Sequence, residues 1–226
     1  MKKISIKDVI DFRRKSPKSK QSFALNLKLS KEKVKTEDGG NYWISTTSAV
    51  SESYKISDIQ PIIDKKDILA EKHEETDYRL TKLMYKRNIE ILDTCEKFDF
   101  NKWKPSKEIK FLRKHKNYSI LTINGLDIQV TPNHIFSFKK DHIENIGAIW
   151  FIAKLDGLKK EELGMFADIL YRYLHLYYSE KYTISPQYCI AVDLVNGFDI
   201  NYLQFKKGKI EKILDSTINE IRKLIQ

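Results

Sequence analysis

The spacing of hydrophobic residues changes about halfway along the 226-residue chain, and the change divides it into two predicted regions. In the first half, apolar residues recur every three or four positions from residue 58 to about residue 98, which is typical of amphipathic helices. The residues predicted on the inward face of this helical stretch are Leu80, Leu83, Met84 and Ile91. In the second half, short apolar runs bounded by turn residues predict strands. We therefore expect a mainly helical region at 1–116 and an α/β region at 117–226.

Two helix starts and one turn are predicted near the N-terminus. Ser5 is followed three residues later by an acid, which is the spacing of a capping box. Ser16-Pro17 breaks this first helix and starts a second one, because proline is well tolerated in a first helical turn. The Asp-Gly-Gly sequence at 38–40 predicts a turn, and the β-prone run at 42–47 predicts a strand after it. A hairpin is therefore expected near residues 35–47.

The second half predicts a mixed sheet with helices packed against it. The run at 146–153 is almost continuously apolar, as in a buried central strand. It is followed by an amphipathic helix at 159–178 and by a second buried strand at 188–194. Asn124-Gly125 is a strong hairpin signal between two earlier strands. The predicted fold class is thus α+β, with the element order β-β-β-α-β across residues 118–195.

The amino-acid composition predicts a folded protein of a reducing compartment. The hydrophobic fraction of 41% supports a folded globule. Two cysteines, Cys95 and Cys189, are too few for a disulfide framework, so we expect buried thiols in a reducing cytoplasm. No apolar run approaches 18 residues, and no secretory signal follows the basic N-terminus, so no membrane association is expected.

Positive charge is concentrated at the N-terminus. Residues 1–35 contain twelve Lys or Arg and three acids, whereas the rest of the chain contains 29 basic and 28 acidic residues. A base composition that favours lysine codons explains a basic chain, but it does not explain this uneven distribution. An excess of this kind favours a polyanionic partner, DNA or RNA. Five cations surround the predicted helix break and are the first candidates for phosphate contacts: Arg13, Arg14, Lys15, Lys18 and Lys20.

A second basic stretch at 102–116 holds seven Lys or Arg and one acid. Trp103 and Phe111 interrupt it, so stacking on bases beside phosphate contacts is one interpretation, and a solvated linker is the other. Arg172 lies among tyrosines in the predicted 159–178 helix and is a further candidate. From the 102–116 stretch we predict four nucleic-acid contacts: Lys107, Lys110, Arg113 and Lys114.

The order of elements at 117–195, with Asp127 at a strand start and Lys154 at the end of a later strand, resembles the core of the PD-(D/E)XK nuclease superfamily. The resemblance implies that Asp127 binds a divalent metal, Mg²⁺, and that Lys154 steadies an attacking water. The family's second acid is absent, because Ile152 stands two residues before the lysine. Either the site is degenerate, or Glu161 or Glu162 replaces that ligand. The alternative is that Asp127 is a turn residue and Lys154 a solvated strand end.

These patterns exclude some functions and leave three open. The five histidines lack the spacing of a zinc site, and no glycine-rich phosphate loop is present. The favoured hypothesis is a bacterial nucleic-acid-binding protein with a degenerate nuclease-like core and no cofactor. The first alternative is a Mg²⁺-dependent nuclease with a relocated acidic ligand. The second is a protein-interaction component of a phage-defence or mobile-element system.

Overall fold

The structure is a computed structural model that describes residues 3–29, 42–105, 108–113 and 119–225. Within them, helices α1 to α8 span Ile6–Arg13, Pro17–Lys28, Ile44–Ile56, Gln60–Glu75, Arg79–Cys95, Lys160–Tyr178, Tyr202–Lys206 and Leu214–Ile225. Strands β1 to β8 span Ile4–Ser5, Lys110–Leu112, Ile120–Ile123, Leu126–Gln129, His134–Lys140, Ile143–Ile152, Thr183–Asp193 and Phe198–Asn201. A short 3₁₀ helix covers Phe100–Trp103. The α+β class predicted from the sequence is confirmed.

The strands form two sheets. The larger sheet has the order β2-β5-β6-β7-β8, in which β6 and β7 are parallel and are connected through α6. The smaller sheet has the order β1-β4-β3. Its β3–β4 hairpin turns at Asn124 and Gly125, whose φ angles of 48° and 77° fit the predicted Asn-Gly turn.

The central strand β6 separates two hydrophobic cores. Ile146 and Ile152 point into a core shared with α1, α6 and α8, whereas Ile149 and Phe151 point into a core shared with α3, α4 and α5. This alternation follows from the two-residue period of a strand and explains why the whole segment is apolar. Both cores contain residues from before and after position 116, where the sequence suggested a boundary.

The strand predicted at 42–47 is wrong, because α3 begins at Ile44. Its Thr46, Val50 and Tyr54 are buried at helical spacing, so packing against the sheet overrides the β-propensity of the local residues. The rest of the predicted hairpin, at 35–41, lies outside the described residues.

The inward face predicted for the long helical stretch is also partly wrong. Leu80 is 80% exposed, whereas Ile91 of the same predicted face is buried, together with Leu92 and Cys95. The C-terminal half of α5 packs against the core, whereas its first turns do not. Sequence periodicity identified the helix, but it did not show how far the packed face extends.

Both cysteines are buried free thiols, as expected. Burial in apolar surroundings raises the pKa of the Cys95 thiol and of the Cys189 thiol, so both stay protonated and unreactive near neutral pH. Among the described residues, no helix has the length and apolar character needed to cross a bilayer.

Candidate nucleic-acid interface

The α1–α2 corner, defined as residues 13–20, contains the first group of predicted phosphate contacts. Helix α1 starts with the predicted capping box, in which Ser5 accepts from the backbone N–H of Asp8 and the Asp8 carboxylate accepts from the backbone N–H of Ser5. Its buried Val9 and Phe12 fix one face against the core. Ser16 caps α2, with Pro17 in the first turn. The corner is therefore a defined structure that packs on α8.

Three cations of the corner face solvent. Arg13, Lys15 and Lys18 are exposed, and the described contact of Arg13 is a hydrogen bond from Nη1 to the Thr217 hydroxyl at 3.2 Å. Across the described ranges of the chain, none of the three forms an ion pair with a carboxylate. Their charges are therefore available to an external anion, next to the N-terminus of α2, where the helix dipole also favours negative charge.

Arg14 is paired with a carboxylate instead. Its Nε donates to Oε1 of Glu162 at 2.7 Å, and Nη2 contacts Oε2 of the same carboxylate and the carbonyl of Gly157. Glu162 is only 4% exposed. Burial opposes ionisation of this carboxyl, but the Arg14 hydrogen bonds and the backbone N–H of Lys159 outweigh it and keep the pKa of Glu162 below its usual value. Arg14 thus joins α1 to the first turn of α6.

Lys20 also has an internal partner. Its Nζ lies 2.7 Å from a Glu220 carboxylate oxygen on α8 and sits over the Phe12 ring, 5.0 Å from the centroid. These contacts occupy the ammonium group with a carboxylate and an aromatic face. Of the five predicted corner contacts, two therefore have a structural use that sequence spacing does not reveal.

Arg172 is the most completely bound cation among the candidates. Its Nε and Nη2 donate to the buried Asp168 at 3.0 and 2.9 Å, and Nη1 and Nη2 donate to Asp215 at 2.8 and 2.7 Å. The hydrogen bonds that Arg172 donates to Asp215 and Asp168 raise its pKa, so the guanidinium stays charged. A phosphate at Arg172 has to displace a carboxylate, and the suggestion that Arg172 contacts nucleic acid stays a prediction.

The second basic stretch lies at the β2 edge of the larger sheet. Lys110 and Arg113 are exposed there, while Lys107 and Lys114 lie outside the described residues. Base stacking by Trp103 is wrong, because its ring is 2% exposed and packs edge-on against aromatic neighbours in the core. Trp103 lies in the hydrophobic core that strands and helices of both regions share, and Phe111 packs against it.

The residues suggested by the nuclease resemblance belong to different elements. Asp127 lies on β4 of the smaller sheet, where its carboxylate accepts from the Thr122 hydroxyl at 2.7 Å. Lys154 follows the last residue of β6 in the larger sheet, and its Nζ is 2.6 Å from Asp11 of α1. Glu161 is half-buried in the first turn of α6, beside the Glu162 that binds Arg14.

Among the described residues, at Asp127 or elsewhere, no group of three or more His, Cys, Asp or Glu side chains is placed to hold a metal ion. The degenerate core, the relocated acid and the Mg²⁺ dependence therefore stay predictions.

Sequence reasoning missed a fully buried carboxylate next to this region. Asp193, at the end of β7 and paired in register with Ile152, accepts from the backbone N–H of Leu158 at 2.8 Å and from that of Val195 at 2.9 Å. It also accepts from the side-chain amide of Asn196 at 2.7 Å. Asp193 holds the β6–α6 connection against the β7–β8 turn. The Asp-x-x-Asn-Gly sequence at 193–197 is the turn signal that indicates this role.

No protein-family model matches the chain, and the comparisons with curated proteins and with solved structures give no match. The resemblance of residues 117–195 to a nuclease core thus rests on the order of elements and on the residues named above.

Proposed function

We propose that this protein binds nucleic acid, DNA or RNA, through the exposed cations of the α1–α2 corner, and that its 117–195 region is a degenerate nuclease-like core. One observation carries the proposal. The N-terminal excess of basic residues includes Arg13, Lys15 and Lys18, which are exposed and free of carboxylate partners in the described parts of the chain. The wider setting that we propose is the bacterial cytoplasm.

The mechanism is phosphate contact. Lysine and arginine side chains displace counterions from a nucleic acid, and this release gives sequence-independent affinity. At the N-terminus of α2, Pro17 has no N–H and the N–H of Ser19 is bonded to the Ser16 hydroxyl, so the backbone N–H of Lys18 is the group that this turn adds for a phosphate oxygen. Arg14 and Lys20 support the corner from inside by binding α6 and α8, so the exposed cations project from a fixed base.

The experiment is a direct binding assay with duplex DNA, single-stranded DNA and single-stranded RNA of the same sequence at low salt. We expect wild-type protein to bind at least one of them and the Lys15→Gln/Lys18→Gln variant to bind about tenfold more weakly, since each lost phosphate contact removes a charge-assisted interaction. Fluorescence anisotropy measures both affinities.

The matched control is Lys139→Gln/Lys140→Gln. These two lysines are exposed on the β5–β6 hairpin, so the variant loses the same net charge at a place outside the corner. Equal loss of affinity in both double variants indicates non-specific attraction to a basic protein. No binding by wild-type protein to any of the three ligands at low salt rejects the proposal.

A protein partner is the second candidate, and one observation favours it. Leu25, on α2, and Leu29, directly after the last residue of α2, are exposed, next to exposed Lys28. Such a face suits an acidic protein with an apolar contact at its centre. Co-purification of a stoichiometric protein partner free of nucleic acid, abolished by Leu25→Ser/Leu29→Ser, supports this candidate. Unchanged co-purification by that variant counts against it.

A further inference from the structure

A cleft of about 240 Å³ opens beside the N-terminus of α1, and residues of α3, β4, β6 and α6 and of the β4–β5 connection also line it. Its lining includes the apolar Trp150 and Phe166, whose rings meet edge to face at 5.1 Å. It also includes the polar Lys7, Gln129 and Asn133. Lys7 carries the single charge among the described residues that line the cleft. The cleft is therefore partly apolar and partly polar, with one cation.

The charges around Lys7 are unbalanced. Its Nζ has a backbone carbonyl as its described partner, that of Ala153 at 3.3 Å. The next residue along, Lys154, uses Asp11 as its own partner at 2.6 Å. Burial, followed by repulsion from Lys154, lowers the pKa of Lys7, and Asp11 only partly offsets this. Two amines share one carboxylate, so the group of three carries a net positive charge.

Neutral donors complete the pocket. Asn133 accepts from the backbone N–H of Phe151 through Oδ1 at 2.8 Å, which leaves its amide NH₂ group as a donor. Thr131 and Gln129 also line the cleft, and their side chains carry a hydroxyl and an amide. An ammonium, an amide and a hydroxyl around one small space suit a tetrahedral oxyanion, because each of its oxygens accepts hydrogen bonds.

Size restricts the ligand. Pockets for drug-sized molecules usually measure at least about 300 Å³, so this cleft suits a compact group rather than a nucleotide flanked by two neighbours. A phosphodiester inside a strand carries a nucleotide on each side, whereas a phosphomonoester has a free end. We propose that Lys7 and its neighbours bind a phosphomonoester group, and that in the bound nucleic acid this is the terminal phosphate of a strand.

The position of the cleft relative to the corner supports this choice. Lys7 is the second residue of α1 and Arg13 the last, so the two sites lie about 9 Å apart along one helix axis. A strand whose internal phosphates contact the corner has its end within reach of the cleft. The identification of the ligand as a strand end rests on the proposed function; the binding of a phosphomonoester does not.

The test compares single-stranded oligonucleotides that carry a phosphate at the 5′ end, at the 3′ end or at neither end. We expect one phosphorylated form to bind wild-type protein about tenfold more tightly than the unphosphorylated form, which is the effect of one charge-assisted contact. Lys7→Gln is expected to remove this difference and to leave affinity for the unphosphorylated strand unchanged. Lys139→Gln, at a distant exposed lysine, is expected to keep the difference.

Adenosine monophosphate and inorganic phosphate provide a second measurement. Chemical-shift changes at the backbone amides of Lys7 and Asn133 in wild-type protein report occupancy of the cleft even if Lys7→Gln does not fold. If the amide chemical shifts change but phosphorylated and unphosphorylated strands bind equally well, the ligand of the cleft is a free phosphomonoester. No shifts and no end preference overturn the inference, while salt-sensitive binding of all three strands still supports the proposed function.

Discussion

Two sets of cations in this molecule are used differently by the structure. Arg14 and Arg172 are paired with the carboxylates of Glu162, Asp168 and Asp215. Arg13, Lys15 and Lys18 of the α1–α2 corner are exposed and have no carboxylate partner among the described residues. Arg14 and Lys15 are adjacent in the sequence and belong to opposite sets. Charge density along a chain therefore shows that a basic region exists, but the pairing in three dimensions decides which charges reach a ligand.

The comparison implies a separation of effects. Substitutions that break the carboxylate pairs of Arg14 and Arg172 are expected to reduce stability and to leave the binding of folded protein to nucleic acid unchanged. Substitutions of Lys15 and Lys18 are expected to do the reverse. Four changes test this separation.

The largest expected effect is that of Arg172→Leu. Removing the guanidinium leaves Asp168 buried without a cation, and breaking a buried pair in this way costs about 3 kcal/mol of unfolding free energy. Urea denaturation followed by circular dichroism measures the loss. Asp215→Asn is the matched change at the half-exposed partner, with an expected loss of about 1 kcal/mol or less. Equal losses for both variants would show that burial of Asp168 is not the cause.

Glu162→Gln is expected to have an intermediate effect of about 1–2 kcal/mol, since it weakens a charge-assisted hydrogen bond to Arg14. The pH dependence provides the sharper test. Because the folded-state pKa of Glu162 is lowered, its ionised form stabilises the fold above the usual carboxyl pKa, and this contribution disappears as pH falls through the folded-state value. Wild-type stability should therefore decline in acid more steeply than that of the variant. If the stability of wild type and of Glu162→Gln declined in parallel as pH falls, the stabilising role of ionised Glu162 would be contradicted.

Ser16→Ala is expected to cost about 0.5–1 kcal/mol, because the hydroxyl caps the N-terminus of α2 through the backbone N–H of Ser19. Ser22→Ala is the control within the same helix, where the hydroxyl donates to the Lys18 carbonyl and alanine has the higher helix propensity. The midpoint temperatures of thermal unfolding of the two variants measure this difference in stability. A loss in Ser22→Ala as large as that in Ser16→Ala would exclude capping as the explanation.

The smallest expected change in stability is that of Lys15→Gln/Lys18→Gln, within about 0.5 kcal/mol of wild type, as for other exposed substitutions without partners. Denaturation under the conditions used for Arg172→Leu measures it. A loss of several kcal/mol would place these lysines among the structural cations.

Local patterns predicted much of the fold. The apolar run at 146–153, the amphipathic helix at 159–178 and the Ser5 capping box are confirmed, because each depends on neighbouring residues. The α3 helix was missed because its conformation depends on burial of Thr46 and Val50 against distant elements. Periodicity and turn chemistry report local preference and not tertiary packing.

The site was less predictable for the same reason. The pair Arg14–Glu162 joins residues 148 positions apart, and Lys154–Asp11 joins residues 143 positions apart. No local pattern indicates either pair. The exposed cations of the corner were found because they surround the Ser16-Pro17 break, which is a local signal. The cleft at Lys7 is lined by residues from elements far apart in the sequence, and no sequence signal indicated it.

The salt dependence of nucleic-acid binding tests the role of the corner most directly. The observed association constant of wild-type protein is expected to fall linearly with salt on logarithmic axes, and Lys15→Gln/Lys18→Gln is expected to reduce the slope by about 1.4 for a single strand or about 1.8 for a duplex. A slope that is the same in wild type and in the double variant, or an affinity that does not depend on salt, would contradict the account.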